Sequence, residues 1–235
     1  MKVLVIGASG FLGGTVYSKL KNGDTEVLGT YSKNRKDSDY VKLDVFETGS
    51  LISLVDGFKP DVVVWTVMDQ EHEEEIAENV IPALCDALGN IRFIFVSTSV
   101  AYEKNMSENV EPFLRTEENY NYHYFNGKIK SERVISKLPN YCIVRPGSIY
   151  GVDSFGKIDN RSLALKKHVD SGKKYIRADN IEFSIIDVKE LADAIIELAT
   201  NVMLELSMSQ RKNRYRIMHL TRLFVGNMAG MINVL

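Results

Sequence analysis

Two cysteines, Cys85 and Cys142, are all that the 235 residues contain. Each lies in apolar company, in "PALCDAL" and "NYCIVRP", so both read as buried free thiols. That argues against a disulfide and a cysteine metal site, and no metal is expected. Long hydrophobic runs are also missing. The apolar run in "MKVLVIGASG" is five or six residues long and ends in glycine, too short for a secretory signal. No stretch approaches the roughly 20 apolar residues of a membrane span. Charge of one sign is lacking too: 29 basic and 31 acidic residues leave a formal net charge of −2. The electrostatics thus give no reason to expect nucleic acid or an anionic membrane as partner. There is no internal repeat and no low-complexity linker. Together these absences point to a soluble protein in a reducing, cytoplasmic setting.

What is present suits a folded enzyme-sized unit. Apolar residues make up 45% and charged residues 26%, ordinary for a globular domain. The length predicts one domain with a small appended lobe. Short apolar runs rich in β-branched residues alternate with helical patterns over the first 150 residues. Strands are predicted at 2–6, 26–31, 40–45, 60–67, 91–99 and 141–151. Helices are predicted after the first glycine turn, over "TGSLISLVDGF", over 71–89, around 127–138 and over 187–200. Ile76, Val80, Leu84 and Leu88 form the inward stripe of the 71–89 helix, which Gly89 stops and Pro82 can kink. Near-continuous apolar strands between helices indicate a parallel sheet covered on both faces. Right-handed crossovers make it a doubly wound, Rossmann-like α/β fold. The expected division is a dinucleotide-binding domain over 1–150 and a small, abbreviated C-terminal substrate lobe over 151–235, with the 187–200 helix packing back on the sheet. The final basic run and apolar tail have no assignable structure.

"GASGFLG" places Gly7, Gly10 and Gly13 directly after the first strand and at the opening of the first helix. This G-x-x-G-x-x-G spacing differs from the common G-x-G-x-x-G fingerprint, but the physics is shared. Gly7 allows a tight turn, Gly10 lets the backbone approach a pyrophosphate, and Gly13 permits close helix–strand packing. Unpaired N–H groups at the helix start present positive charge to phosphates.

NAD-binding sheets often end their second strand with an acid that takes the ribose 2′-hydroxyl. Here that place reads "GTYSKNRKDSD": Thr30, Tyr31 and Ser32, then Lys33, Arg35 and Lys36. Arginine can grip a 2′-phosphate in a bidentate way, where an acid would repel it. NADP(H) is therefore favoured over NAD(H), against the alternative of a solvated basic loop. Asp44 falls where a carboxylate can accept the adenine amino group, or it is a surface-loop aspartate.

In "YHYFNGKIKSE", Tyr124 and Lys128 are four apart, one turn along a helix face. They follow "VSTSVAY" at the carboxyl end of the fifth strand, where open α/β sheets put their sites. From here the chain resembles the extended short-chain dehydrogenase/reductase family, most closely its dTDP-4-dehydrorhamnose reductase branch. The resemblance rests on "GASGFLG", "KPDVVV", "ENV", "FVSTSVAY", "YFNGK", "VRPGSIYG" and "FSIIDVKELADAI", in that order over roughly residues 1 to 200. It implies Thr98, Tyr124 and Lys128 as the catalytic set. Thr98 is chosen by its distance from Tyr102, with Ser99 the runner-up. It further implies dinucleotide contacts from Ser9, Phe11, Leu12, Ser32, Arg35, Asp44, Val45, Thr66 and Pro146, beside the three glycines, Tyr124 and Lys128. It also puts the 71–89 and 122–138 helices forward as faces of a homodimer. A free phenol has a pKa near 10, and the neighbouring ammonium is expected to lower it so that Tyr124 exchanges a proton near neutrality. Gly127 is expected to give backbone room beside the cofactor.

The family pattern is departed from at the fourth strand, which ends in "WTVMDQ" where small residues are usual, so Trp65 and Met68 either join the core or crowd the cofactor ribose. The loop before Asn79 is short, "IEFSIIDV" is closer to epimerases, and the C-terminal part is brief. The resemblance implies an NADP(H)-dependent reductase acting on a carbonyl of a nucleotide-activated sugar. The alternatives are a non-catalytic NADP-binding regulatory subunit or scaffold and a nucleotide-sugar epimerase.

Overall fold

The computed structural model describes residues 1–99, 112–172 and 183–200, with two short strands near the C-terminus. In chain order, the elements begin with β1 (Lys2–Ile6), α1 (Phe11–Lys21), β2 (Glu26–Tyr31), β3 (Val41–Lys42), α2 (Thr48–Phe58) and β4 (Val62–Trp65). There follow α3 (Glu73–Glu75), a π-helical turn (Ile76–Val80), α4 (Ile81–Leu88), β5 (Arg92–Val96), α5 (Tyr122–Ile135) and β6 (Tyr141–Val144). The remainder are β7 (Ser148–Tyr150), α6 (Asn160–Asp170), β8 (Phe183–Asp187), α7 (Val188–Thr200), β9 (Ile217–Met218) and β10 (Arg222–Phe224).

Seven strands form one sheet in the order β3-β2-β1-β4-β5-β6-β9, and every pairing in it is parallel. The order reverses beside β1, which is the doubly wound arrangement. Strand period two explains why the central runs are apolar throughout. Val3, Val5, Val62 and Val64 face a core shared with Leu12, Val16 and Leu20 of α1 and Leu191, Ala192 and Ile195 of α7. Leu4, Ile6, Val63 and Trp65 face the opposite core, with Leu51 and Val55 of α2 and Leu84 and Leu88 of α4. The predicted stripe Ile76, Val80, Leu84 and Leu88 is fully inside, and α7 lies against α1.

Four sequence expectations are corrected. The third strand, expected over 40–45, is only Val41–Lys42. Tyr40 turns inward, stacks edge-on against Tyr17 with centroids 4.6 Å apart, and donates its hydroxyl to Ala8 O at 2.9 Å. The 71–89 helix is interrupted by the π-helical turn, where Ile81 N–H reaches back to Ile76 O. Pro82 follows in the first turn of α4, so its missing N–H is absorbed by the wider turn before it. The sixth strand does not run to 151. It breaks at Arg145–Gly147, where Pro146 has no ladder donor and a Cβ on Gly147 would lie 2.4 Å from Ser184 O. Beyond the break, β7 pairs with β8 in parallel and β10 joins β8 antiparallel, a second three-stranded sheet. The fourth correction is α6, a helix that the sequence pattern does not announce. Asp159 caps it, accepting from the N–H groups of Arg161 and Ser162. In "RYRIMHL", Ile217 and Met218 pair with Ile143 and Val144. Other expectations for 201–235, and those touching 100–111, including Tyr102, lie outside the described residues.

Candidate active site

The glycine turn closes the carboxyl ends of β1 and β4. Gly7 has φ +88°, the left-handed region that glycine adopts without strain. Its N–H donates to Thr30 Oγ1 at 3.0 Å, and its carbonyl accepts Gly10 N–H at 2.9 Å. Ser9 N–H reaches Thr30 O at 3.3 Å. A Cβ on Gly13 would sit 2.4 Å from both Gly7 O and Thr66 Oγ1, so only glycine lets α1 lie this close to the turn. Thr66 in turn donates its hydroxyl to Ile6 O at 2.9 Å. Gly7, Ser9, Gly10, Phe11, Leu12, Gly13 and Thr66 are thereby gathered at one edge of the sheet. The start of α1 has no side-chain cap and no acid in its first turn. Unshared N–H groups and the positive helix end suit a pyrophosphate there. The residues present therefore fit a dinucleotide. Thr30, which in the sequence marks only a missing acid, braces the glycine turn with both its hydroxyl and its carbonyl.

At the end of β2, Ser32, Lys33 and Arg35 are exposed. The Arg35 guanidinium donates to Asp37 O and Ser38 O and lies over the Tyr31 ring. Lys36 does not stay with them. Its Nζ lies 3.3 Å from the buried Asp153 carboxylate and over the Phe155 ring. Asp44 is exposed and accepts Phe46 N–H at 3.1 Å, while Val45 packs against the core that α2 and α4 cover.

Thr98, Tyr124 and Lys128 come together at the end of β5. Thr98 is buried and its hydroxyl bonds the Tyr124 phenol. Lys128 is almost completely enclosed. Its Nζ lies 2.8 Å from Glu73 Oε1, donates to Val67 O at 3.0 Å, and sits 4.9 Å from the Phe95 ring centroid and 5.9 Å from that of Tyr124. The expected lowering of the phenol by this ammonium is overturned. Burial pushes the Tyr124 phenol well above the usual tyrosine range, and the Glu73 carboxylate adds to the rise. The Thr98 hydrogen bond and Arg161 oppose it.

The expected role of Gly127 is corrected too. A Cβ there would lie 2.3 Å from Glu73 C and 2.4 Å from Glu73 O, so the missing side chain makes room for the start of α3. Trp65 is fully buried in the core that α2 and α4 cover, and Met68 is exposed. Ser99, the runner-up to Thr98, lies 3.5 Å from the Ser184 hydroxyl and donates its N–H to Pro146 O at 2.9 Å.

Two further residues shape the site without having been singled out in the sequence. Asn126 accepts Arg115 N–H at 2.7 Å and donates to Arg115 O at 3.0 Å, fastening the segment before α5. Glu132, one turn beyond Lys128, pairs with Arg145 in a buried contact that joins α5 to the end of β6. Neither has a short-range sequence signal, because each partner is distant or on another element.

Comparison with known proteins places this geometry among known folds. The model of the NAD dependent epimerase/dehydratase family matches residues 3–206. The chain is 26% identical over 163 residues to Methionine adenosyltransferase 2 subunit beta of Danio rerio, a match covering 64% of this chain and 48% of that protein. It thus spans about half the length of that curated relative. Among solved structures, it resembles a hypothetical dTDP-4-dehydrorhamnose reductase from Sulfolobus tokodaii, with a TM-score of 0.72 and 21% identity over 96% of this chain and 78% of that one. It also resembles the Bordetella bronchiseptica enzyme WbmH in complex with NAD+, with a TM-score of 0.71 and 17% identity over 94% of this chain and 75% of that one.

Proposed function

Because the chain belongs to the NAD dependent epimerase/dehydratase family, we propose that it is an NADP(H)-dependent reductase of a carbonyl on a nucleotide-activated sugar. The single observation that carries this reading is the Thr98–Tyr124 hydrogen bond beside Lys128 at the sheet edge that the glycine turn shares. A bound nicotinamide dinucleotide would supply the hydride. The N–H groups opening α1 would hold its pyrophosphate, and Arg35 and Lys33 would meet a 2′-phosphate. Thr98 would hydrogen-bond the substrate oxygen as charge builds on it. Tyr124 would deliver the proton that this oxygen needs. Lys128 has three donors; two face Glu73 and Val67 O, which leaves one for a ribose hydroxyl. Residues 151–235 would form the lobe that selects the sugar.

The test is NADPH oxidation against a panel of keto-sugar nucleotides, with Tyr124→Phe as control. Turnover that Tyr124→Phe abolishes is expected. Turnover that survives in the variant removes Tyr124 from the mechanism.

A second reading, a dinucleotide-binding subunit without turnover, draws support from the similarity to a protein named as a subunit. Firm NADPH binding with no turnover across the whole panel would favour it over the reductase.

A further inference from the structure

Glu73 is fully buried, the most completely so of the acidic residues described. Its neighbours in "EHEEE" stay at or near the surface, with Glu71 and Glu75 exposed. Removing a carboxylate from water costs several kcal/mol unless specific partners replace the solvent. Here they do. Oε1 lies 2.8 Å from Lys128 Nζ in an ion pair that lacks hydrogen-bond alignment, and Oε2 accepts Asp69 N–H at 3.0 Å. The backbone of α5 is shaped to admit the group, since any side chain at position 127 would strike Glu73. A glycine inside the catalytic helix, a buried acid and a buried lysine thus form one construction.

Four charged or hydrogen-bonding groups face the Tyr124 phenol: Thr98 from the end of β5, Glu73 from α3, Arg161 from α6, and Lys128 on the phenol's own helix. Of the two cations, Lys128 is closer in the sequence, but its charge is matched by a carboxylate at contact distance. An unmatched ammonium beside a phenol favours the phenolate. A matched one loses most of that effect, and the carboxylate itself repels a phenolate.

Resting on the reductase reading above, we propose that Glu73 is a positioning residue that sets the direction of proton transfer. By seating Lys128 in a buried ion pair, it keeps Tyr124 as a protonated phenol, suited to carbonyl reduction and poorly suited to alcohol oxidation. In the favoured direction the carbonyl carbon gains a hydride from the dinucleotide and its oxygen gains the Tyr124 proton. The resulting phenolate recovers a proton from water. Oxidation of an alcohol would instead require Tyr124 to begin as phenolate, a form that Glu73 disfavours. A site that must run both ways within one turnover, as an epimerase does, is served less well by this arrangement.

The experiment is an NMR titration of ring-labelled tyrosine in the full chain, with Tyr124→Phe identifying the resonance and no substrate present. In the unaltered protein Tyr124 should remain protonated beyond the ordinary value of about 10. In Glu73→Gln it should titrate lower by roughly one pH unit or more, because the orphaned ammonium then acts on the phenol. Glu73→Asp, which keeps the charge, should restore most of the difference. A folded Glu73→Gln protein whose Tyr124 titration is unmoved would overturn the proposal. If Glu73→Gln does not fold, the double variant Glu73→Gln/Lys128→Met removes both charges: a Tyr124 titration near that of the unaltered protein supports the proposal, because the ammonium that Glu73 masks has gone with it, and one displaced by about a pH unit or more in either direction overturns it. Failure of turnover on every keto-sugar nucleotide would remove the reductase reading while leaving this titration interpretable. Normal turnover with an unmoved titration would remove the role of Glu73 alone.

Discussion

Lys36 Nζ lies 3.3 Å from Asp153 Oδ2, a pairing that spans 117 residues and ties the loop after β2 to the loop after β7. Asp153 is buried and also accepts the N–H groups of Phe155 and Lys157, at 2.9 and 2.8 Å. The sequence places three cations after β2 as if equivalent, and the fold separates them. Lys36 is committed to a structural carboxylate. Arg35 is exposed, bonded to two backbone carbonyls and set over the Tyr31 ring, surface contacts that a phosphate can replace. Arg35→Ala is therefore expected to weaken NADPH binding about tenfold, the scale of one charge-assisted hydrogen-bonded contact, with little effect on NADH. Lys36→Ala should change NADPH affinity much less. Fluorescence titration with both dinucleotides measures this. Equal affinity for NADPH and NADH in the unaltered protein would defeat the preference for the phosphorylated cofactor.

Gly127 gives a prediction whose sign departs from helix propensity. An alanine in a helix interior ordinarily gains up to about 1 kcal/mol over glycine. Here the added Cβ would lie 2.3 Å from the backbone of Glu73, and backbone cannot swing aside as a flexible side chain can. Overpacking of this kind costs roughly 1–3 kcal/mol. Gly127→Ala should lower the urea midpoint and disturb both Tyr124 and Lys128, which flank it on the same helix. A rise in the midpoint would show that α3 and α5 do not meet this closely.

Particular residues explain what the sequence made legible. Val3, Val5, Leu4 and Ile6 announce β1 because a two-sided core demands apolar residues at every position, and the glycines after them follow from packing that admits no side chain. The helix stripe from Ile76 to Leu88 is equally local. Tyr40 misleads, since it reads as a strand residue but is drawn inward by Tyr17 and Ala8. Pro146 reads as a site residue, yet its missing N–H also divides the sixth strand, and the partner that receives the second half is β8, far along the chain. At the site, the Tyr124–Lys128 spacing is visible because it is one helical turn. Glu73 is not, because an acid within an acidic run reads as solvated surface until the fold buries it. The sign of the phenol's displacement is hidden for the same reason: it depends first on burial and then on Glu73, neither of which the local sequence around Tyr124 shows.

Alkaline pH should expose the cost of burying phenols and a thiol. Burial holds the phenols of Tyr40, Tyr124 and Tyr17 above their ordinary range. Burial likewise pushes the Cys85 thiol up to about 12, with Asp86 adding to it. A group whose folded value is raised stabilises fully below its unfolded value, about 8.5 for cysteine and about 10 for tyrosine. That stabilisation is lost as pH rises towards the folded value, because the unfolded chain ionises first. The urea midpoint should therefore be flat between about pH 7 and 8 and fall progressively above about pH 9, each unit of displacement being worth about 1.4 kcal/mol. Tyr40→Phe isolates one contributor. It removes the bond to Ala8 O, costing about 1 kcal/mol at neutral pH, and should make the alkaline decline shallower. Should the decline be as steep in Tyr40→Phe as in the unaltered protein, the buried phenol beneath the glycine turn is not among its causes.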